Sequence, residues 1–143
     1  MSKRSNATPA GAARTCLLVA GSISAGVHAG LAPEHLHEWL PLGAAFSAAA
    51  VILTAAVAAS AIRPADHRPP RALAMVLAGM IVAYASTRVV ALPPLDPTRE
   101  PLDALGLSTS AIEAAGLVVA LHLSRRPSTR RRFLFALSQG GTQ

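Results

Sequence analysis

Four apolar runs decide what this chain can fold into. Thr15 to Ala32, Leu40 to Ile62, Ala72 to Leu92 and Ala104 to Leu123 carry between them only two full charges, Arg88 and Glu113. A bilayer's hydrocarbon layer is about 30 Å thick and takes roughly 20 apolar residues to cross as a helix. The shortest of the four runs has 18 residues. Backbone N–H and C=O groups find no water in lipid, so a run of this kind must pair them internally, as a helix. The expectation is an all-α, four-helix transmembrane bundle with short loops. Only 14% of the 143 residues are charged, against roughly 25% in soluble domains. The mean hydropathy of +0.43 agrees.

The segments between the runs set the domain plan. Residues 1–14 form a short basic lead with Lys3, Arg4 and Arg14 and no acid. Residues 15–124 form the membrane domain, and residues 125–143 form a basic tail. Pro33 is expected to close the first helix, leaving Glu34 to Trp39 as a polar turn. Pro41 suits the first turn of the second helix, where its missing N–H costs little. Pro93 and Pro94 break the third. A secretory signal peptide is the rival reading of the first run, since Val27-His28-Ala29 loosely resembles a small-x-small cleavage site. The run continues past that site and three more spans follow, which favours a retained span.

Counting Lys and Arg orients the chain. The lead has three, the turn from 63 to 71 has three, and the tail from 125 has five. The turn from 33 to 39 has none and the loop from 93 to 103 has one. Basic residues favour the cytoplasmic side, so both termini are expected inside. The net charge of +6 thus reads as topology and lipid headgroup contact rather than nucleic-acid binding. Phe133 to Leu137, after the tail arginines, reads as a short segment able to dip into the inner surface. The single Cys16 permits no intrachain disulfide.

Charges at bilayer depth cost at least ~2.5 kcal/mol near the centre, so each calls for a reason. Helical rise places Arg88 ~24 Å from Ala72, Glu113 ~14 Å from Ala104 and His28 ~6 Å from the outer end of its run. All three fall in the outer half. Ser24 lies one turn from His28, Tyr84 one turn from Arg88, and Ser110 with Thr109 one turn from Glu113. A polar pocket open to the outside, with His28, Tyr84, Arg88 and Glu113 as ligand-binding residues, is the expected site. Arg88 is expected to reach inward and meet Glu113, which alternatively makes the two a structural ion pair fixing helix register.

A metal site is the most concrete version of the pocket. His28, His35 and His37, with Glu34 or Glu38, offer imidazole and carboxylate donors of the kind zinc or copper(II) takes. The spacing works against it, because His35 and His37 are two apart and point away from each other on a helix. Haem with two axial histidines fits less well, since His122 lies near the opposite face from His28. Small-x-x-x-small pairs at Gly26 and Gly30, Gly79 and Ala83, and Gly116 and Ala120 suit close helix contact.

The chain holds no Gly-rich phosphate loop, no Gly-x-Ser-x-Gly, no His-Glu-x-x-His and no zinc-ribbon cysteines. Its segments outside the membrane are too short for a soluble catalytic domain. The first reading is therefore non-enzymatic, a pocket that binds a ligand or partner. One alternative is a membrane-embedded enzyme of isomerase or cyclase type, with Glu113 as general acid or base. Another is an accessory subunit that binds a partner subunit or a second copy of itself in a membrane complex.

His28, the run Ala32-Pro33-Glu34-His35, Glu38-Trp39, Gly43 and Phe46, then Ser86-Thr87-Arg88-Val89-Val90 and the late Glu113, form a pattern. In it the chain resembles a group of small four-span membrane proteins of high-GC, actinobacterial-type bacteria. The resemblance covers residues 17 to 124. It implies the four-helix architecture and points to the same outer-half residues, and it implies no activity. The architecture alone is also similar to that of DoxX-like membrane proteins, and no residue roles carry over from them.

Overall fold

A computed structural model of the chain describes residues 9–90 and 101–125. Four helices account for nearly all of them, in the order α1 (Pro9–Glu38), α2 (Leu40–Ile62), α3 (Arg68–Val89) and α4 (Ala104–Ser124). No strand occurs among the described residues. Neighbours in sequence pack on one another, and α4 closes the ring against α1. The result is an antiparallel four-helix bundle.

Each helix is long and apolar enough to cross a bilayer. The distribution of side chains agrees with that length. Val51, Ile62 and Met75 are 68%, 75% and 77% exposed on the outside of the bundle, while Ser24, Thr109 and Glu113 are buried within it. A soluble domain would place these groups the other way round. In lipid the outward apolar chains need no cover, and helices associate through close packing and interhelical hydrogen bonds instead. The chain is a small multi-pass membrane protein.

Two helices differ from the sequence expectation. The first starts at Pro9 and runs through Pro33 to Glu38, where Thr15 to Ala32 was expected. A proline inside a helix removes one hydrogen bond, here to the carbonyl of Ala29, and need not end it. The following residues, Glu34 to Glu38, continue as a final helical turn, and the Trp39 N–H still donates to the His35 carbonyl at 2.8 Å. The polar turn therefore shrinks to Trp39, whose extended backbone (φ −153°, ψ 106°) separates α1 from α2. The third helix runs from Arg68 to Val89 rather than from Ala72 to Leu92. Pro69 and Pro70 sit in its first turn, where an unpaired N–H is normal and a proline is tolerated. The expected breaks at Pro93 and Pro94, the acids Asp96 and Glu100, and the tail beyond Arg125 lie outside the described residues. So do Lys3 and Arg4. The second and fourth helices match the expected bounds to within one residue.

The core divides along the bundle axis. Toward the α2–α3 turn it is packed solid, with Leu17, Leu53, Leu73 and Leu77 fully buried. Here Gly116 and Ala120 do make a close contact. A Cβ on Gly116 would lie 3.0 Å from Ala20 Cβ and 3.1 Å from a Leu77 methyl. The other two small-residue pairs do not work this way, since a Cβ on Gly26, Gly30 or Gly79 would meet nothing within 4 Å.

Arginines close this end. The Arg14 guanidinium donates to the carbonyls of Ser60 (2.7 Å) and Pro64 (2.6 Å), at the end of α2. Arg71 donates to the Ser124 carbonyl at 3.3 Å, at the end of α4. Cations at helix C-termini satisfy orphan carbonyls and favour the helix dipole. The opposite end of the bundle carries the Trp39 corner.

Candidate functional site

At that end residues of all four helices line a cavity of about 440 Å³ among the described residues. This is within the usual range for small-ligand pockets, roughly 300–1,000 Å³. Its walls are largely apolar, with Leu31, Leu42, Phe46 and Met80 among them. The polar groups converge from all four helices. Of the candidate residues named from sequence, Glu34, Glu38, His28, His35, Tyr84, Arg88 and Glu113 all line it, and His37 does not.

Glu113 is 2% exposed. Its Oε1 accepts a hydrogen bond from Ser24 Oγ at 2.6 Å, linking α4 to α1. One turn along α1, His28 Nδ1 lies 2.9 Å from the Ser24 carbonyl. A carbonyl only accepts, so Nδ1 carries the proton and Nε2 is left as the other face of the ring. Glu113, Ser24 and His28 thus form one cluster. The Phe46 ring packs against His28 and His35 together, with centroids 5.2 Å and 4.4 Å away. His28 and His35 are seven residues apart and share a helix face. His35 also pairs with Glu38 at 3.2 Å.

The expected Arg88–Glu113 pair does not form. Arg88 Nη2 donates instead to Asp103 Oδ2 at 3.0 Å, and its guanidinium lies 4.2 Å from the centre of the Tyr84 ring. The reason is positional. Arg88 is in the last turn of α3 and Asp103 caps the start of α4, so both stand at the rim. Glu113 lies almost three turns deeper. The register role assigned to that pair therefore has no contact to rest on.

Asp103 is the residue that sequence reading passed over. Its Oδ1 accepts from the Gly106 N–H at 2.6 Å, an N-cap, while Oδ2 holds Arg88. The signal was an Asp directly before an apolar run, a common helix start. Asp103→Ala is expected to cost about 1–2 kcal/mol, with cap and partner both lost. Asp103→Asn keeps the cap and is expected to cost about 0.5 kcal/mol. Thermal melts of the two variants in one detergent check this, and equal losses would mean that the cap contributes little.

Tyr84 is held on two sides, by Arg88 on its ring and by Gly106 beneath it. A Cβ on Gly106 would collide with the Tyr84 ring. The Tyr84 hydroxyl is buried and has no hydrogen-bond partner among the described residues.

The metal donors do not assemble. Among the described residues no group of three or more His, Cys, Asp or Glu side chains is placed to hold a metal ion. The helical continuation through Pro33 accounts for this, because it turns His37 away from the face that His28 and His35 share. No family model, no curated protein and no solved structure matches the chain.

Proposed function

We propose that this protein sits in a bacterial plasma membrane with both termini in the cytoplasm, and that its cavity opens outward and binds a small ligand there. The observation that carries the reading is the cavity itself, an apolar chamber into which four helices direct a few polar groups. A costly polar group of this kind, the buried Glu113 carboxylate with a single hydroxyl donor among the described residues, is what a bound molecule would satisfy. The outward direction follows from the excess of Lys and Arg at the opposite end.

The Glu113–Ser24–His28 cluster favours a catalytic version of the same reading, with Glu113 as general acid or base. Both versions need an aqueous route from outside to the cavity.

That route is testable by cysteine accessibility in intact cells. In a Cys16→Ser background, Ser110→Cys places a thiol at the cavity wall with little change in shape. Thr54→Cys places one on the exposed, lipid-side surface of α2 as a control. A membrane-impermeant thiol reagent added outside is expected to label the Ser110→Cys variant and not the control. Labelling of Ser110→Cys only after the cells are permeabilised would reverse the orientation, and no labelling at all would remove the open pocket.

A further inference from the structure

We infer that the cavity is built for a cation, specifically a protonated amine carried on an apolar body such as an aryl-alkyl chain. This rests on the ligand-pocket reading above and adds the ligand's chemical class. Four described carboxylates line the cavity, Glu34, Glu38, Asp103 and Glu113, against one guanidinium, Arg88, and two imidazoles, His28 and His35, the latter paired with Glu38. Arg88 is engaged by Asp103 at the rim and by the face of Tyr84. An anion entering would meet an excess of like charge and no cation committed to it. An aminophospholipid is disfavoured for the same reason, since its phosphate enters with its amine.

The deep end asks for hydrogen-bond donors. Among the described residues no lysine or arginine pairs with Glu113, whose one hydrogen bond is the Ser24 hydroxyl. A carboxylate has room for several donors, and an ammonium brings three. A neutral apolar ligand would leave the carboxylate with that one donor, whereas an ammonium adds charge-assisted bonds to it. The body of the ligand would then lie along Leu31, Leu42 and Met80, with the Phe46 ring on one side. An aromatic wall further favours a cation over an anion.

Binding to the purified protein in nanodiscs of zwitterionic lipid tests this with three probes of one shape: 5-phenylpentylamine, 5-phenylpentan-1-ol and 5-phenylpentanoate. Titration calorimetry against empty nanodiscs removes the contribution of lipid partitioning. The amine is expected to bind saturably and at least about tenfold more tightly than the alcohol or the carboxylate. Glu113→Gln is expected to bring the amine down to the level of the alcohol. Should that variant fail to fold, Glu113→Asp keeps the charge, withdraws it by one methylene and is expected to lower amine affinity severalfold. Tighter binding of the alcohol or the carboxylate than of the amine would overturn the charge assignment and leave the pocket reading standing. No saturable binding of any probe would overturn both.

Discussion

Gly43→Ala is expected to be among the most destabilising single-methyl changes in this chain, by about 3 kcal/mol. The α1–α2 corner turns on the single residue Trp39, and the second helix doubles back on the first at once. Gly43, in the first turn of α2, then lies against the backbone of Leu36 in the last turn of α1. A Cβ there would overlap the Leu36 backbone nitrogen and lie 2.6 Å from its Cγ. Backbone cannot rotate out of the way as a side-chain tip can, so the corner must open. The displacement would pass directly to Phe46, one turn on, and to the stack it makes with His28 and His35. Gly26→Ala is the matched control, because its Cβ would meet nothing within 4 Å and alanine favours a helix by about 1 kcal/mol. The melting temperature is expected to fall by several degrees for Gly43→Ala and to hold or rise for Gly26→Ala. Equal melting of the two would mean that the corner is looser than described.

The contrast between these glycines shows what could be read from the sequence. Spacing marked Gly26 and Gly30 as a contact pair, yet contact depends on which way a helix face points, and theirs points out of the bundle. Gly43 and Gly106 also stand four residues before a small residue, Ser47 and Ser110, but that spacing does not account for what they meet. Their need arises from a tight corner and from a tyrosine ring on the neighbouring helix, neither of which has a sequence period. The spans themselves were legible because lipid leaves so few options for an apolar run. The bounds of α2 and α4 followed from Pro41 and from where the apolar runs begin and end. Those of α1 and α3 were misjudged at prolines that the helices tolerate, Pro33 in the interior and Pro69-Pro70 in a first turn.

The site was legible in part for the same reason. Depth along a helix can be counted, so the gathering of His28, Arg88 and Glu113 at one end was accessible. Partner choice was not, since depth says nothing about direction around the axis or about how far a rim residue must reach. Arg88 found the nearer carboxylate, Asp103, and Glu113 found the hydroxyl of Ser24.

That exchange changes what Glu113 is for. A buried carboxylate bonded to one hydroxyl is a poor way to hold a bundle together. Replacing a buried charged pair by apolar groups of like volume is often neutral or stabilising by about 1–4 kcal/mol, whereas removing one partner leaves the other unserved. Ser24→Ala alone is therefore expected to cost about 1–3 kcal/mol, because Glu113 loses its donor inside the bundle. The His28 bond is untouched, being made to the Ser24 carbonyl. The double variant Ser24→Ala/Glu113→Leu removes both polar groups and fills the space with a side chain of similar size. If the cluster exists to bind a ligand, the fold does not need it, and its removal restores or raises stability while abolishing the amine preference.

The most direct measurement is thus a set of thermal melts, in one zwitterionic detergent and without added ligand, of the wild type, Ser24→Ala and Ser24→Ala/Glu113→Leu. The account predicts that the single variant melts below the wild type and the double variant at or above it. A double variant that melts well below the wild type would contradict the account, making the buried carboxylate a strut of the bundle rather than a binding group.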